Sequence, residues 1–383
     1  MTVDELLRPL VPQVLGVLVR RGADLATAED AVQDALVEAV RRWPDGFPED
    51  PKGWLVTVAW RKLVDAHRSE ASRRTREVRV LHDVAQGPVE QRDDTLQLLF
   101  WCCHPALTSA SAVALTLRAV GGLTTRQIAE AYLVPEATMA QRISRAKRTV
   151  SEHGVGADGD LGAVLRVLYL VFNEGYTGEV DLAAEAIRLT RLLARLSPEP
   201  EVGGLLALML LHHARRPARR DADGMLVPLG RQDRSLWGTS LIAEGVDVLQ
   251  TALAQDRLGE YQAQAAIAAL HCDARSADET DWPQVLEWYD ELLRINPSPV
   301  VALNRAVAVG EVDGARAGLA ALASVPDDVP RRAAVAAWLH ERAGEPATAA
   351  ELYAHAASSA ANLAERHHLL REAARLAPDA PGT

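Results

Sequence analysis

Apolar residues recur at helical spacing along most of the chain, most clearly between Thr27 and Trp43. The apolar positions there are 28, 31, 32, 35, 36, 39, 40 and 43, which form one continuous helical face. Thr27 is the expected N-cap, and Asp30 occupies the capping-box position. A second helix is predicted from about Pro51 to Ala71. Its expected buried stripe comprises Leu55, Val58, Ala59, Leu63 and Ala66.

Polar side chains cover the other faces of these two helices. The first carries acids and a glutamine, namely Glu29, Asp30, Gln33, Asp34 and Glu38, which form either a solvated face or a docking face for a basic partner. The second places Trp60, Arg61, His67 and Arg68 largely off its stripe, in a segment rich in Lys and Arg. That face either solubilises the helix or binds phosphates and stacks on unpaired bases.

The segment 123–150, LTTRQIAEAYLVPEATMAQRISRAKRTV, has the pattern of a helix-turn-helix. Thr124 or Thr125 caps a short helix that ends near Tyr132, and Leu133 begins the turn. Pro135 is expected at the first position of the second helix, where its missing N–H costs nothing. The predicted locking positions are Ile128, Ala129, Val134, Met139 and Ile143. The predicted exposed positions are Glu136, Thr138, Gln141, Arg142 and Arg145, followed by Lys147 and Arg148.

Further helices are predicted in the second half, at about 161–175, 181–196, 201–215, 239–255 and 261–272. Beyond residue 281 the sequence repeats with a 34-residue period, since Gly310-Glu311 matches Gly344-Glu345 and Ala302 matches Ala336. This is the tetratricopeptide period, with the glycine expected at the turn between paired helices. Such repeats either bind a partner peptide or pack structurally on the rest of the chain.

Composition and charge narrow the class of protein. The chain has 383 residues, is 48% apolar and only 4% aromatic, which favours an all-α fold of several domains. Residues 1–150 hold 20 of the 41 Lys and Arg and 19 of the 52 Asp and Glu, so that part carries +1 and the remainder −12. Because the excess of acids lies in the remainder, residues 1–150 can bind a polyanion. No signal peptide or membrane span is expected, and the location expected is the cytoplasm.

Sequence patterns of catalysis and metal binding are missing. The chain contains no GxxxxGK[ST], HExxH, GxSxG or paired CxxC motif, so neither enzyme activity nor a metal or cofactor is expected. Cys102 and Cys103 are expected as small buried side chains, because adjacent cysteines rarely share a zinc ion.

Three separate blocks resemble one family. Residues 6–72 resemble region 2 of an extracytoplasmic-function (ECF) sigma factor. The segments that carry this resemblance are ATAEDAVQDALVEAVRRW and PKGWLVTVAWRKLVDAHRSEASRR. Residues 123–150 resemble region 4 of the same family. The continuation resembles the subgroup that has a long tetratricopeptide-like extension (ECF42-type). The segments that carry this resemblance include VLYLVFNEGYTGEVDLAAEAIRLTRLL and SPVVALNRAVAVGEVDGARAGL. The implied function is promoter-specific transcription initiation by RNA polymerase.

The resemblance implies roles for the candidate residues. Asp30, Gln33, Asp34 and Glu38 would dock on the β′ clamp helices of core RNA polymerase, and region 4 would meet the β flap. Trp60, Arg61, Lys62, His67 and Arg68 would follow the unpaired −10 element, and the loop 44–51 would hold a flipped base. The helix 135–148 would read the −35 element as duplex DNA. The sequence departs from the family at Leu133, where glycine is common, and at Ala140-Gln141, where lysine is frequent.

The implied domain plan is region 2 at 1–72, a linker at 73–92, region 4 at 93–150, a helical extension at 161–260 and helical repeats at 261–375. The extension is expected to modulate activity, with a regulatory protein or peptide bound at the repeats. Two other functions stay open from the residues alone. One is a helix-turn-helix regulator that works without polymerase and senses through its repeats. The other is a protein-interaction scaffold, which would show no affinity for DNA at any salt concentration.

Overall fold

The computed structural model describes residues 7, 9–71, 94–153, 159–175, 181–222, 224–360 and 363–377, and their side chains except those of 45 and 67–71. Eighteen α-helices lie in these ranges, with short 3-10 turns and one isolated β-bridge between Arg220 and Leu226. The predicted all-α fold is therefore confirmed. The predicted linker at 73–92 lies outside the described residues.

The chain divides into two compact units, Met1–Ser197 and Pro198–Thr383. The helices of the first unit are α1 (Leu10–Arg20), α2 (Leu25–Arg42), α3 (Pro51–Ala71), α4 (Thr95–Cys102), α5 (Ser109–Ala119), α6 (Thr125–Ala131), α7 (Glu136–His153), α8 (Leu161–Glu174) and α9 (Leu182–Leu196). Those of the second are α10 (Pro200–Ala214), α11 (Thr239–Leu253), α12 (Glu260–Asp273), α13 (Trp282–Ile295), α14 (Pro299–Val312), α15 (Ala315–Leu322), α16 (Arg332–Arg342), α17 (Pro346–Ser359) and α18 (Leu363–Leu376).

Helices α1, α2 and α3 pack on one another as a three-helix bundle. Its core contains Leu15, Leu55 and the ring of Trp43, which is only 1% exposed. Each such side chain contributes about 1.5–3 kcal/mol through its removal from water. The predicted N-cap of α2 was wrong. Asp24, not Thr27, caps the helix by accepting hydrogen bonds from the backbone N–H groups of residues 26 and 27 at 3.1 and 3.2 Å.

The predicted helix-turn-helix is formed by α6 and α7. Thr124 caps α6 in a capping box with Gln127, whose Oε1 accepts a hydrogen bond from the Thr124 backbone N–H at 2.9 Å. Ile128, Ala129, Met139 and Ile143 are buried between the helices, and Val134 is half-buried. Pro135 immediately precedes α7 and accepts its first helical hydrogen bond, from Met139, so it lies one residue earlier than predicted.

Leu133 adopts a left-handed backbone conformation at the turn, with φ of +51°. The Leu133 N–H donates to the Glu130 carbonyl at 3.2 Å, and the Val134 N–H donates to the Ala129 carbonyl at 3.0 Å. This is the Schellman ending of a helix, in which glycine is the usual residue. A leucine here retains the steric cost of its Cβ in the left-handed region.

Helices α8 and α9 belong to the first unit, although the domain plan groups residues 161–260 as one extension. They pack on each other, and α8 also contacts α4 and α5 of predicted region 4. Gly159 lies so close to the Phe100 ring that a Cβ at this position would come within 2.0 Å of it. The first part of the extension therefore completes the core beneath the helix-turn-helix.

The helices of the second unit pack each against the next from α12 to α18, as a repeat array would. The predicted role of Gly310 was wrong. Gly310 lies inside α14, where a Cβ would come within 2.5 Å of Leu339 Cδ2, so it permits close contact between α14 and α16. The turn glycines are Gly314 and Gly344, which have φ of +90° and +81°.

We expect Leu133→Gly to stabilise the first unit. Glycine removes the steric penalty of about 1–2 kcal/mol that a Cβ pays in the left-handed region. It also costs about 0.5–1 kcal/mol of chain entropy, so the net gain in the free energy of unfolding is at most about 1.5 kcal/mol. The leucine side chain is 82% exposed, so its removal costs little packing. The measurement is the urea midpoint of the unfolding transition that reports the first unit.

Leu133→Ala is the matched control, because alanine shortens the side chain but retains the Cβ that is strained at positive φ. It should leave the midpoint close to that of the wild type. Equal gains from both substitutions would mean that the exposed leucine, rather than the backbone, is the source of the cost.

Candidate nucleic-acid interface

The outer face of α2 combines acids with two valines. Asp30, Gln33 and Asp34 are exposed as predicted, while Val37 and Val40 are 53% and 47% exposed. Val40 was expected in the buried stripe, and this expectation was wrong. Val37 lies four residues after Gln33 and three after Asp34, so its position on this face could have been found from helical spacing. The result is an acidic surface with an apolar centre. Such a surface is more typical of a docking site for a protein partner than of a face that is only solvated.

Glu38 lies at the edge of this face and is held by cations. Its carboxylate forms an ion pair with Arg42 on the next turn, with 2.9 Å between Oε1 and Nη2. The Nζ of Lys62 in α3 lies 3.8 Å from the other oxygen, Oε2. The side chain is 25% exposed. Glu38 therefore connects the acidic face of α2 with the basic side of α3.

Glu29 was expected on the solvated face, and the structure corrects this. It is 6% exposed and its Oε1 accepts a hydrogen bond from Arg118 Nε at 2.6 Å. Its Oε2 forms an ion pair with Lys147 of α7. Glu29 is buried because α5 and α7, which are distant in sequence, cover its edge of α2. Helical periodicity within α2 cannot reveal such a cover.

The basic side of α3 differs from the prediction at Trp60. This residue is 5% exposed, and the guanidinium of Arg21 lies 5.8 Å from its ring centroid. Trp60 is therefore a core residue in this conformation and cannot stack on a base. Ala66, predicted to be buried, is exposed. Arg61 and Lys62 are exposed as expected, whereas the side chains of His67 and Arg68 lie outside those that the structure describes.

A cleft of about 710 Å³ lies between the end of α2 and α3. Its lining residues are Glu38, Arg42, Asp50, Gly53, Trp54, Thr57, Val58, Arg61, Lys62 and Asp65. Trp54 packs edge-on against Trp43 with ring centroids 5.6 Å apart, and the Phe47 ring lies 5.9 Å from that of Trp43. The cleft thus has one aromatic side chain, Trp54, beside Arg61 and Lys62. Sequence analysis assigned no role to Trp54, because its apolar character fits equally well in a core.

The exposed side of α7 gathers most of the predicted duplex-reading residues. Glu136, Thr138, Gln141, Arg145 and Arg148 are exposed, and Arg142 is half-buried. Lys147 lies about 200° around the helix from Arg145 and is separated from this group. Its side chain is 14% exposed and is directed to Glu29. The structure therefore brings five of the seven predicted residues to one side of α7. Glu136 is exposed at the start of the helix, but it lies about 180° around the axis from Arg145, on the side of Lys147.

Tyr132 and the two adjacent cysteines of region 4 lie in environments that disfavour their charged forms. Burial raises the pKa of the Tyr132 phenol far above its usual range, with a further contribution from Glu174. Burial also raises the pKa of the Cys103 thiol to about 12 and that of Cys102 well above its usual value. In the described part of the chain, no group of three His, Cys, Asp or Glu side chains could hold a metal ion. None of the described helices is long and apolar enough to cross a membrane.

Three segments of the chain match known protein families. Residues 6–73 match the family described as Sigma-70 region 2, and residues 97–150 match Sigma-70, region 4. Residues 160–253 match a family of unknown function, DUF6596. These matches cover α1 to α3, α4 to α7, and α8 to α11 respectively.

Two relatives carry the comparison further. An uncharacterized protein, R00370, of Rhizobium meliloti is 44% identical over 340 residues, which covers 81% of this chain and 79% of that protein. The probable ECF RNA polymerase sigma factor SigI of Mycobacterium tuberculosis is 28% identical over 190 residues, or 42% of this chain and 64% of that protein. No solved structure matches the chain. The chain therefore carries Sigma-70 region 2 and region 4 domains followed by a DUF6596 domain, and it is homologous to an ECF sigma factor, which is consistent with an ECF sigma factor that has a C-terminal extension.

Proposed function

We propose that the chain binds core RNA polymerase and directs it to promoters by contacting the −10 and −35 elements. The observation that carries this proposal is the presence of three surfaces of different chemistry on one unit. They are the acidic and apolar face of α2, the cleft beside α3 that holds Trp54 and side chains of both charges, and the exposed polar side of α7. A helix-turn-helix regulator that works without polymerase has no need for the first two.

Polymerase docking is assigned to the face of α2 that carries Asp30, Gln33 and Asp34, with Glu38 at its edge. Exposed acids attract a basic partner over a long range, and Val37 and Val40 supply apolar area to bury on contact. By family resemblance the partner is the β′ clamp helices, and the β flap is the partner of region 4. These docking roles are typical of a binding protein, so we assign no enzymatic reaction to the chain.

The −10 element is assigned to the cleft between α2 and α3. Arg61 and Lys62 are exposed at its edge and can pair with phosphates of a single strand, while the Trp54 ring offers an aromatic surface for an unpaired base. His67 and Arg68 remain predicted contacts farther along α3. Trp60 could contribute only if its burial changed on binding.

The −35 element is assigned to the exposed side of α7. Thr138 and Gln141 are short enough to reach base edges near the start of the helix, and Glu136 can accept from cytosine. Arg142, Arg145 and Arg148 are placed to hold phosphates on either side. We assign no phosphate contact to Lys147, because it pairs with Glu29.

The C-terminal helices are assigned a modulating role. The repeat array from α12 to α18 is a suitable scaffold for a regulatory protein or peptide, and the predicted domain boundaries at 161–260 and 261–375 remain part of this proposal. A protein that acts with polymerase at chromosomal promoters acts in the cytoplasm, and we assign the chain to that compartment as part of this proposal.

We expect Asp34→Arg to weaken binding to core RNA polymerase by at least about tenfold, because it puts a like charge against a basic partner at the centre of the docking face. The measurement is a fluorescence titration of the full-length chain with core polymerase at moderate salt. Glu152→Arg, which reverses another exposed acid on the same unit, is the control and should bind like the wild type. Equal affinity of the wild type and Asp34→Arg would remove α2 as the docking face.

We expect Arg145→Ala to weaken binding of the polymerase complex to promoter DNA about 5- to 10-fold while polymerase binding is retained. One lost phosphate contact should also lower the salt dependence of log K by about one unit of slope. The measurement is DNA binding across a series of salt concentrations. Arg166→Ala, which removes an exposed arginine side chain of α8, is the control. Unchanged promoter binding by Arg145→Ala would exclude this side of α7 from the −35 contact.

A further inference from the structure

Two buried acids, Glu29 and Asp94, connect the two predicted DNA-binding regions, and Glu29 has two cations from the other region. Glu29 belongs to α2 of region 2, whereas Arg118 and Lys147 belong to α5 and α7 of region 4. Arg118 Nε lies 2.6 Å from one carboxylate oxygen, and Lys147 forms an ion pair with the other. The Arg118 side chain is itself fixed, because its Nη1 donates to the Leu123 carbonyl at 3.0 Å. Each oxygen of the carboxylate thus has its own cation from the other region.

Further contacts lie between the same two regions. Ser151 at the end of α7 donates a hydrogen bond to Asp24, the N-cap of α2. Asp94, just before α4, is paired with Arg20 of α1 at 3.1 Å. The backbone of Gly16 approaches so closely that a Cβ there would come within 2.7 Å of the Asp94 Cβ. The contact between the regions therefore extends along one side of region 2.

The triad is a strong specific contact between surfaces that are otherwise capable of separating. A carboxylate that is 6% exposed loses most of its hydration, and two charge-assisted partners compensate for that loss. Removal of one partner leaves an uncompensated charge at the interface. If the regions move apart, however, water can solvate all three groups. The same residues can therefore hold the regions together and also release them.

Simultaneous contact with both promoter elements requires such a release. The elements lie about 25 base pairs apart, or roughly 85 Å along the duplex at 3.4 Å per pair. In the structure α3 and α7 both pack against α2, and helices of about 10–12 Å diameter keep their outer surfaces within roughly 40 Å. The segment 72–93 can span about 75 Å when extended, at roughly 3.4 Å per residue. The chain can therefore reach both elements only after α2 and α7 separate.

We propose that the Glu29–Arg118–Lys147 triad is a latch that keeps regions 2 and 4 together in the unbound protein and opens when polymerase binds. The role of opening rests on the proposed promoter function, whereas the latch itself does not. Asp30, Gln33 and Asp34 remain exposed while the latch is closed. Region 2 can thus dock first, and Glu29 lies directly beside the docking face, where a basic partner can compete with Arg118 and Lys147.

The test measures the distance between the regions in the full-length chain. Spin labels are attached at Glu49→Cys in the loop after α2 and at Ser144→Cys on α7, both of which are exposed. Cys102 and Cys103 are buried, and the half-buried Cys272 is replaced by alanine in every sample before labelling. We expect one population at about 20–40 Å in the unbound protein. Core polymerase should lengthen this distance by roughly 30 Å or more.

Substitutions then test the triad. Glu29→Gln should produce a long-distance population without polymerase, and Lys147→Gln, which breaks the triad from region 4, should do the same. Helical content measured by circular dichroism excludes unfolding as the cause, and the second variant serves if the first does not fold. Glu152→Gln is the matched control, since that acid pairs with Arg148 of its own helix at 3.9 Å. It should retain the short distance.

The outcomes separate the latch from the proposed function. A short distance in folded Glu29→Gln or folded Lys147→Gln would overturn the latch, even if polymerase binds normally. A long distance in the unbound wild type would also overturn it. Failure of polymerase to bind the wild type would overturn the proposed function, while the response of the two variants would still decide whether the triad holds the regions together.

Discussion

The packing of region 4 on region 2 depends above all on the buried carboxylate of Glu29. At 6% exposure this side chain has lost most of its contact with water, and its partners, Arg118 and Lys147, come from region 4. This constraint joins two helical regions that each have their own core. It also fixes the rotation of α7 about its axis, because the side of the helix that carries Lys147 must face α2. The opposite side of α7 therefore faces solvent. The exposure of Thr138, Gln141 and Arg145 thus follows partly from the burial of Glu29.

The same constraint separates two kinds of charged residue that look alike in the sequence. Arg145 and Lys147 stand two residues apart in a basic cluster, yet one faces solvent and the other completes an internal ion triad. Asp30 and Glu29 differ in the same way. Charge clusters on a helix are therefore divided by the rotation of the helix, and only the outward members can meet DNA or polymerase.

Sequence patterns predicted most of the fold because local rules determine helices. The helices at 182–196 and 200–214 lie within one residue of their predicted bounds, and Thr124 forms the predicted cap. The errors arise where a distant element decides the environment. Glu29 is covered by region 4, Trp60 lies in the core beside Arg21, and Gly310 faces Leu339 of another helix. In the candidate site, the exposed acids and the α7 surface were predictable, whereas the Trp54 cleft required the packing of α2 against α3.

The extension is not a separate module appended to region 4. The matched family of unknown function spans 160–253, yet the chain divides into compact units between Ser197 and Pro198, inside that family. Its first two helices, α8 and α9, are part of the unit that contains regions 2 and 4, and α8 covers apolar side chains of α4 and α5. A truncation near residue 155 would uncover that surface and could lose activity for structural reasons alone. A truncation after Ser197 retains the cover, so it separates the influence of the repeat array from the stability of region 4.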